Sequence, residues 1–338
     1  MAELSHYVNT LGRALRERYG ERVHKVAIDA GFTCPNRDGS AGRGGCTFCN
    51  NASFSPNHVG AEAIETQIDR GRAVIARRTG ARRLLAYFQA YTNTYAAVST
   101  LSELYDRALN QPGVIGLSVG TRPDCVPDAV LDLLESYADR GLEVWLELGL
   151  QSSFDETLRR VNRGHGFPEY RDAIRRARHR GLQVCTHLIT GLPGETAEHA
   201  LTTLARVLDE GTQGLKLHPL HVVRGTLLAR DLRLGTYQPW PLQDYVDVAV
   251  EMIERTPWPI VYHRLTGTAP APVLLGPAWC SSKWRVLNAI RGELERRGTR
   301  QGHATSEPAF GLAPASNSGV DAQSSCSEQA DRANACPC

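Results

Sequence analysis

Three of the nine cysteines fall within sixteen positions, in Cys34-Pro35-Asn36-Arg37-Asp38-Gly39 and Gly44-Gly45-Cys46-Thr47-Phe48-Cys49, the last two in C-x-x-C spacing. Thiols at this density bind metal, exchange disulfides or attack electrophiles. A disulfide framework fits poorly, because the chain is 338 residues long, its cysteine count is odd and no export signal is recognisable. A redox C-x-x-C pair leaves Cys34 without a task. A structural zinc ion needs four ligands, and the nearest fourth is His58, nine residues past Cys49. An iron–sulfur cluster held by three thiolates leaves one iron open for a substrate. Spacing alone leaves zinc and cluster both open.

The elements that position these thiols are legible from periodicity. Val23-His24-Lys25-Val26-Ala27-Ile28 reads as a buried strand, so the cysteines sit on a glycine-rich loop leaving its C-terminal end. Glycine there allows backbone to wrap closely around a metal centre. Strands follow at 84–90, 114–119, 143–149, 184–189 and 215–218, each separated from the next by helical spacing. Six strand–helix units mean a parallel sheet covered by helices with right-handed crossovers. Six is two short of a closed barrel, so a partial barrel and a doubly wound sheet are both compatible. In either, ligands bind at the C-terminal strand ends, and those ends are polar here. They carry Thr92-Asn93-Thr94, Thr121-Arg122-Pro123-Asp124, Glu147 with Gln151-Ser152, Gly191-Leu192-Pro193-Gly194, and Lys216 with His218.

Bulk properties set limits. Net charge is +2 and 42% of residues are apolar, as in an ordinary globular protein. No apolar run approaches the roughly 20 residues of a membrane span. Residues 4–15 have helical spacing and read as a surface helix. Past residue 241 the alternation changes to a helix, the apolar run 260–265, a Pro- and Ala-rich loop and a last helix with Trp284, Leu287, Ile290 and Leu294 facing inwards. The expected division is an N-terminal helical segment 1–22, a core 23–220, a C-terminal extension 221–302 and a low-complexity, disordered tail 303–338. Tail cysteines Cys326, Cys336 and Cys338 are read as parts of a flexible end rather than a second metal site. The cytoplasm is the expected compartment.

The cysteine loop, the six units and the later motifs together resemble the radical S-adenosylmethionine (SAM) superfamily, over most of residues 20–302. The resemblance rests on the two cysteine segments, Gly120-Thr121-Arg122-Pro123-Asp124, Glu147-Leu148-Gly149-Leu150-Gln151-Ser152, Asn162-Arg163-Gly164-His165 and Leu188-Ile189-Thr190-Gly191-Leu192-Pro193-Gly194-Glu195. The long first cysteine spacing is similar to the YhcC-like branch, itself similar to the Elongator catalytic subunit and oxygen-independent coproporphyrinogen oxidase groups. The resemblance implies an α/β fold, a partial (βα)6 TIM-like barrel. It implies a 4Fe–4S cluster on Cys34, Cys46 and Cys49, with the SAM amine and carboxylate on the remaining iron. It places Phe48 against the adenine, Glu147 and Gln151 near the ribose, Arg163 on the SAM carboxylate, and Gly191 and Gly194 where backbone approaches the adenine. The chain departs from the family in two places. Eleven residues separate Cys34 from Cys46 instead of three, so the loop must bulge. In place of a Gly-Gly-Glu motif stands Tyr91-Thr92-Asn93-Thr94-Tyr95, where Thr92 and Asn93 offer oxygen acceptors for the SAM amine. The implied chemistry is reductive SAM cleavage to a 5′-deoxyadenosyl radical, with an electron donor such as flavodoxin or ferredoxin.

No catalytic residue is assigned; Lys216, His218 and Arg122 are candidates. Arg122 and Asp124 are equally well read as a pair shaping the mouth. His24 and His187 read as structural histidines, and Cys125 and Cys185 as small buried residues. Cys280, ahead of a helix, is a candidate reactive thiol. The basic stretch Arg291, Arg296, Arg297 and Arg300 and the Elongator likeness raise tRNA as a substrate, but the interleaved Glu293 and Glu295 favour a solvated face. No membrane and no DNA partner is expected. The competing class is a non-catalytic protein with a structural metal site.

Overall fold

A computed structural model of the chain describes residues 3–50 and 62–305. His58, the tail cysteines and the tail beyond residue 305 lie outside the described residues. In chain order come α1 (Leu11–Tyr19), β1 (Val23–Ile28), α2 (Pro35–Asp38), α3 (Ile64–Thr79), β2 (Arg83–Phe88), α4 (Val98–Leu109) and β3 (Val114–Thr121). Next are α5 (Asp128–Asp139), β4 (Glu143–Gln151), α6 (Asp155–Arg160), α7 (Phe167–His179), β5 (Gln183–Thr190), α8 (Ala197–Asp209) and β6 (Gly214–Pro219). The C-terminal part holds β7 (Val222–Val223), α9 (Leu227–Leu234), α10 (Leu242–Glu254), β8 (Val261–Arg264), β9 (Leu274–Gly276) and α11 (Lys283–Arg297).

One parallel sheet runs β1-β2-β3-β4-β5-β6-β8. The order never reverses, so the sheet is singly wound; a doubly wound sheet turns back at a switch point. Curling is visible in its side chains, since Lys25 on the first strand meets His263 on the seventh at 3.0 Å. The result is the expected TIM-like partial barrel with one more strand. The run 260–265, assigned from sequence to the C-terminal extension, supplies β8, which pairs in parallel with β6 after a crossover through α10. Periodicity identifies such a run as a strand but does not say which strand it joins.

Outside, the sheet packs on amphipathic helices through Ile68 of α3, Tyr105 of α4, Leu134 of α5, Ile174 of α7 and Leu204 of α8, all buried. Inside, side chains stack in layers. The lowest is apolar: Val23, Leu85, Trp145, Cys185 and Val261, closed from below by Leu11 and Leu15 of α1. The N-terminal helix is thus a plug rather than a surface element, and it starts later than its spacing suggests. Residues 4–6 form a 3-10 turn, and α1 begins where the Thr10 side chain caps Arg13 N–H. The strand-side end of α1 is pinned by Arg18 and Tyr19, which donate to the buried Glu143 carboxylate at 2.6 and 2.7 Å. On α11 the inward residues are Val286, Ile290 and Leu294, whereas Trp284, expected inside, is 69% exposed.

Candidate active site

The cysteine loop is a held structure. Cys34, still extended, caps the single turn of α2, and its carbonyl accepts from Arg37 N–H at 2.8 Å. Gly39 ends that turn at φ 97°, a value that suits glycine. Asn162, itself at φ 52°, donates its amide to the carbonyls of Arg43 (3.1 Å) and Gly45 (2.8 Å) and accepts from Asn36 Nδ2 at 2.6 Å. Gly42 lies so close over Asn36 that a Cβ there would collide with its Oδ1. These contacts hold in place the eleven residues between Cys34 and Cys46.

All three thiols face one cavity of about 590 Å³ at the C-terminal strand ends. Arg163 Nη1 lies 3.6 Å from Cys46 Sγ, and Asn36 Nδ2 lies 3.8 Å from it. The other arm of Arg163 donates to Gly149 O at 2.5 Å. Behind it, Arg122 grips Asp124 with two bonds of 2.9 and 2.7 Å and donates to Arg163 O at 2.8 Å. Arg122 is 2% exposed, its guanidinium buried beside that carboxylate at the edge of the cavity. Several buried polar atoms at the cavity have no hydrogen-bond partner among the described residues: Thr92 Oγ1, Gln151 Oε1, Arg163 Nε and His187 Nε2. Each such orphan costs roughly 1–3 kcal/mol, a cost that a bound polar ligand removes. Gln151 also sits at φ 82°, beside a bulge that re-aims the end of β4.

Below the cavity lies a polar layer. Glu147 carries the ammonium groups of both Lys25 and Lys216, and it accepts from Ser118 Oγ at 2.6 Å. His263 Nδ1 is 3.2 Å from the same carboxylate, and Lys216 Nζ is 2.8 Å from Tyr87 Oη. Burial alone would raise the Glu147 pKa, but Lys216 and Lys25 hold it well below the ordinary carboxylate value. Burial lowers His263 to about 3, with Lys25 adding to the effect, so its ring is neutral. Burial also lowers the Lys25 pKa, and Glu147 opposes that shift.

The fold therefore gathers Phe48, Thr92, Arg122, Glu147, Gln151, Arg163 and His218 around the cysteines. Lys216 lies one layer down, tied to Glu147. Asn93 is buried beside the cavity with its amide on the carbonyls of Phe88 (3.1 Å) and Gly120 (2.7 Å). Gly191 and Gly194 adopt φ 80° and 84° with Trp240 and Arg160 packed over them, and neither is among the lining residues. Residues not singled out from sequence are Lys25, Tyr87, His221, His263 and Arg264. Lys25 and His263 lie inside strands; only a charged residue within an apolar run signals such a position. His187, read as structural, instead faces the cavity. Cys125, Cys185 and Cys280 are buried, and burial pushes the Cys280 thiol up to about 12, which leaves it unreactive. On α11, Arg296 and Arg297 are bound to Glu293 at 2.6 and 2.7 Å, so two of the stretch's charges are spent on the helix itself.

The family model for the radical SAM superfamily matches residues 34–207, and the radical SAM C-terminal domain model matches 212–296. The chain belongs to the radical SAM superfamily. Protein YhcC of Escherichia coli K12 is 49% identical over 306 residues, 90% of this chain and 98% of the relative. The protein YtqA of Bacillus subtilis is 39% identical over 87% of this chain and 91% of its own length. Among solved structures, the archaeal Methanocaldococcus infernus Elp3 with an N-terminal deletion superposes with a TM-score of 0.62. At 19% identity, over 82% of this chain and 64% of that one, it shares the fold. No described helix is long and apolar enough to cross a membrane.

Proposed function

We propose that this protein is an enzyme that cleaves SAM reductively at a 4Fe–4S cluster held by Cys34, Cys46 and Cys49. The observation that carries the reading is the convergence, in one cavity, of three thiols with buried polar atoms that have no partner among the described residues. The donor geometry favours a cluster over zinc. One zinc ion about 2.3 Å from each thiolate needs sulfurs within about 4 Å of one another. Among the described residues the group that converges within 4.8 Å is Glu147, Cys185 and His263, not the three cysteines. That group already has two ammonium ions on its carboxylate, which oppose a further cation. Thiolates on three separate irons spread wider than ligands of one ion, as these do.

When bound, the reduced cluster and SAM supply a 5′-deoxyadenosyl radical that takes a hydrogen atom from the substrate. The chain's own residues bind and shield. Phe48 forms a wall for the adenine, and Gly191 and Gly194 shape the turn behind it. Thr92 Oγ1 and Gln151 Oε1 accept hydrogen bonds from the cofactor's amine and ribose. Asn93, its amide nitrogen fixed on two carbonyls, offers its buried Oδ1, unpartnered among the described residues, as a further acceptor beside Thr92. Arg163, anchored on Gly149 and close to Cys46, offers Nε to the SAM carboxylate. Arg122 positions Arg163, and Glu147 holds Lys216 at the floor. His218 faces the substrate space. An external donor of the flavodoxin or ferredoxin type supplies the electron.

The test is anaerobic reconstitution with iron and sulfide, then dithionite and SAM, with 5′-deoxyadenosine read by chromatography. Wild-type protein is expected to be brown and to form it; Cys46→Ala is expected to lose both properties while staying folded. A Cys46→Ala protein that cleaves SAM at the wild-type rate overturns the assignment, as does zinc bound in place of iron.

A further inference from the structure

A second face of the cavity comes from the ends of β5, β6 and β8. His187, Lys216 and Arg264 are register partners across these three strands, so they lie in one row on the inner side. Lys216 is committed to Glu147, which leaves His187 and Arg264 facing the cavity, with His218 one step nearer the mouth. The rings of His187 and His218 stack with centroids 5.5 Å apart and planes within 4°. His218 Nε2 lies 3.2 Å from His221 Nδ1. His187 Nε2 is buried without a partner among the described residues. A Cβ at Gly267 would collide with the His218 ring, so the segment after β8 closes over this histidine.

Charge gives the face its character. The Arg264 guanidinium makes no ion pair or hydrogen bond among the described residues. Among those residues Glu147 is the one acid lining the cavity, and it serves two lysines. The wall therefore carries a positive excess with no carboxylate to answer it. Burial, with neighbouring cations adding to it, lowers His187 to about 3 and His221 to about 4, so both rings are neutral. Each then donates one N–H, from Nε2 of His187 in its Nε2–H tautomer and from Nε2 of His221 when His218 Nε2–H donates to its Nδ1. A planar guanidinium flanked by neutral imidazoles matches an oxyanion, which accepts two bonds from the fork and one from a ring.

We propose that Arg264, with His187 and His221, binds an anionic oxygen group of the substrate, a carboxylate or a phosphate. This subsite rests on the enzyme reading above and names the chemistry of its substrate. Within the same cavity, that reading gives Arg163 and not Arg264 to the SAM carboxylate.

The experiment uses the full chain, reconstituted anaerobically and saturated with SAM without reductant. Inorganic phosphate and malonate are titrated into it by calorimetry. Saturable binding of at least one anion is expected, weakened at least tenfold in Arg264→Gln and partly restored in Arg264→Lys. Phosphate binding alone marks a phosphorylated substrate, and malonate binding alone a carboxylate; either supports the subsite. Should Arg264→Gln not fold, His187→Leu removes a facing ring nitrogen that has no partner among the described residues, and the same weakening is expected. Wild-type protein that binds neither anion, or a folded variant that binds both like wild type, overturns the proposal. Iron content and SAM affinity, read in the same samples, report on the enzyme reading separately: if they fail while anion binding still depends on Arg264, the subsite stands.

Discussion

Asn162 shows how much one residue can decide. Its left-handed backbone costs about 1–3 kcal/mol in a non-glycine residue, and its amide repays this by tying two carbonyls of the cysteine loop. Asn162→Ala removes those ties and is expected to cost about 1–3 kcal/mol locally. Iron retained per chain after gel filtration should fall, with little change in the global melting temperature. Asn162→Gly separates the two effects, since it relieves the backbone and still loses the amide. If Asn162→Gly keeps its iron, the hydrogen bonds are not what holds the loop. No sequence pattern marks this role, because the carbonyls that Asn162 ties lie more than a hundred positions away along the chain. Arg122 and Asp124 are the opposite case. Two apart around a proline, they have a spacing that favours a pair, and they form it.

At the scale of elements, α1 closes the barrel bottom with Leu11 and Leu15, far from the cysteines along the strand axis. Leu15 is 2% exposed, and Leu15→Ala is expected to cost about 2–4 kcal/mol by lost burial and a residual cavity. Urea unfolding should show the loss as a lower midpoint, while iron content at 25 °C stays at the wild-type value. Loss of iron in a still-folded Leu15→Ala protein would mean that the plug and the mouth are coupled. Amphipathic spacing announced this helix but not its place. A stripe of leucines reads the same whether it lies on the outside of a sheet or across the end of a barrel. The same holds for β8, whose four residues carry no mark of their partner strand.

The whole molecule buries several histidines as neutral rings. Burial lowers His165, His187 and His263 to about 3 and His221 to about 4, against 6.5 in an unfolded chain. Below pH 6.5 the unfolded chain therefore binds protons that the folded one refuses, so stability falls as pH drops from 6.5 towards 4. Each ring contributes at most about 1.4 kcal/mol per pH unit. Glu147 acts in the same direction: held low by its lysines, its contribution is present above the ordinary carboxylate pKa and is lost in acid. Urea midpoints at pH 7.5, 6.5 and 5.5 should decline slightly over the upper interval and about three times as steeply over the lower one. The decline should be shallower in His187→Gln, which removes one of the rings. Equal midpoints at pH 6.5 and 5.5 would show that the rings are not held neutral.

Sequence alone determined the strand–helix alternation, the thiol cluster at the end of the first strand and the polar rim of the mouth. These follow from local periodicity and from spacings of a few residues, which a chain displays whatever its tertiary arrangement. Tertiary structure decided the rest. Whether the sheet curls, and which way each strand residue points once it does, depends on register and on closure across the barrel. Only closure brings Lys25 to His263 across 238 positions, and only register sets His187, Lys216 and Arg264 side by side on three strands. An unpaired guanidinium in a cavity is a relation between distant residues, and no local pattern encodes it.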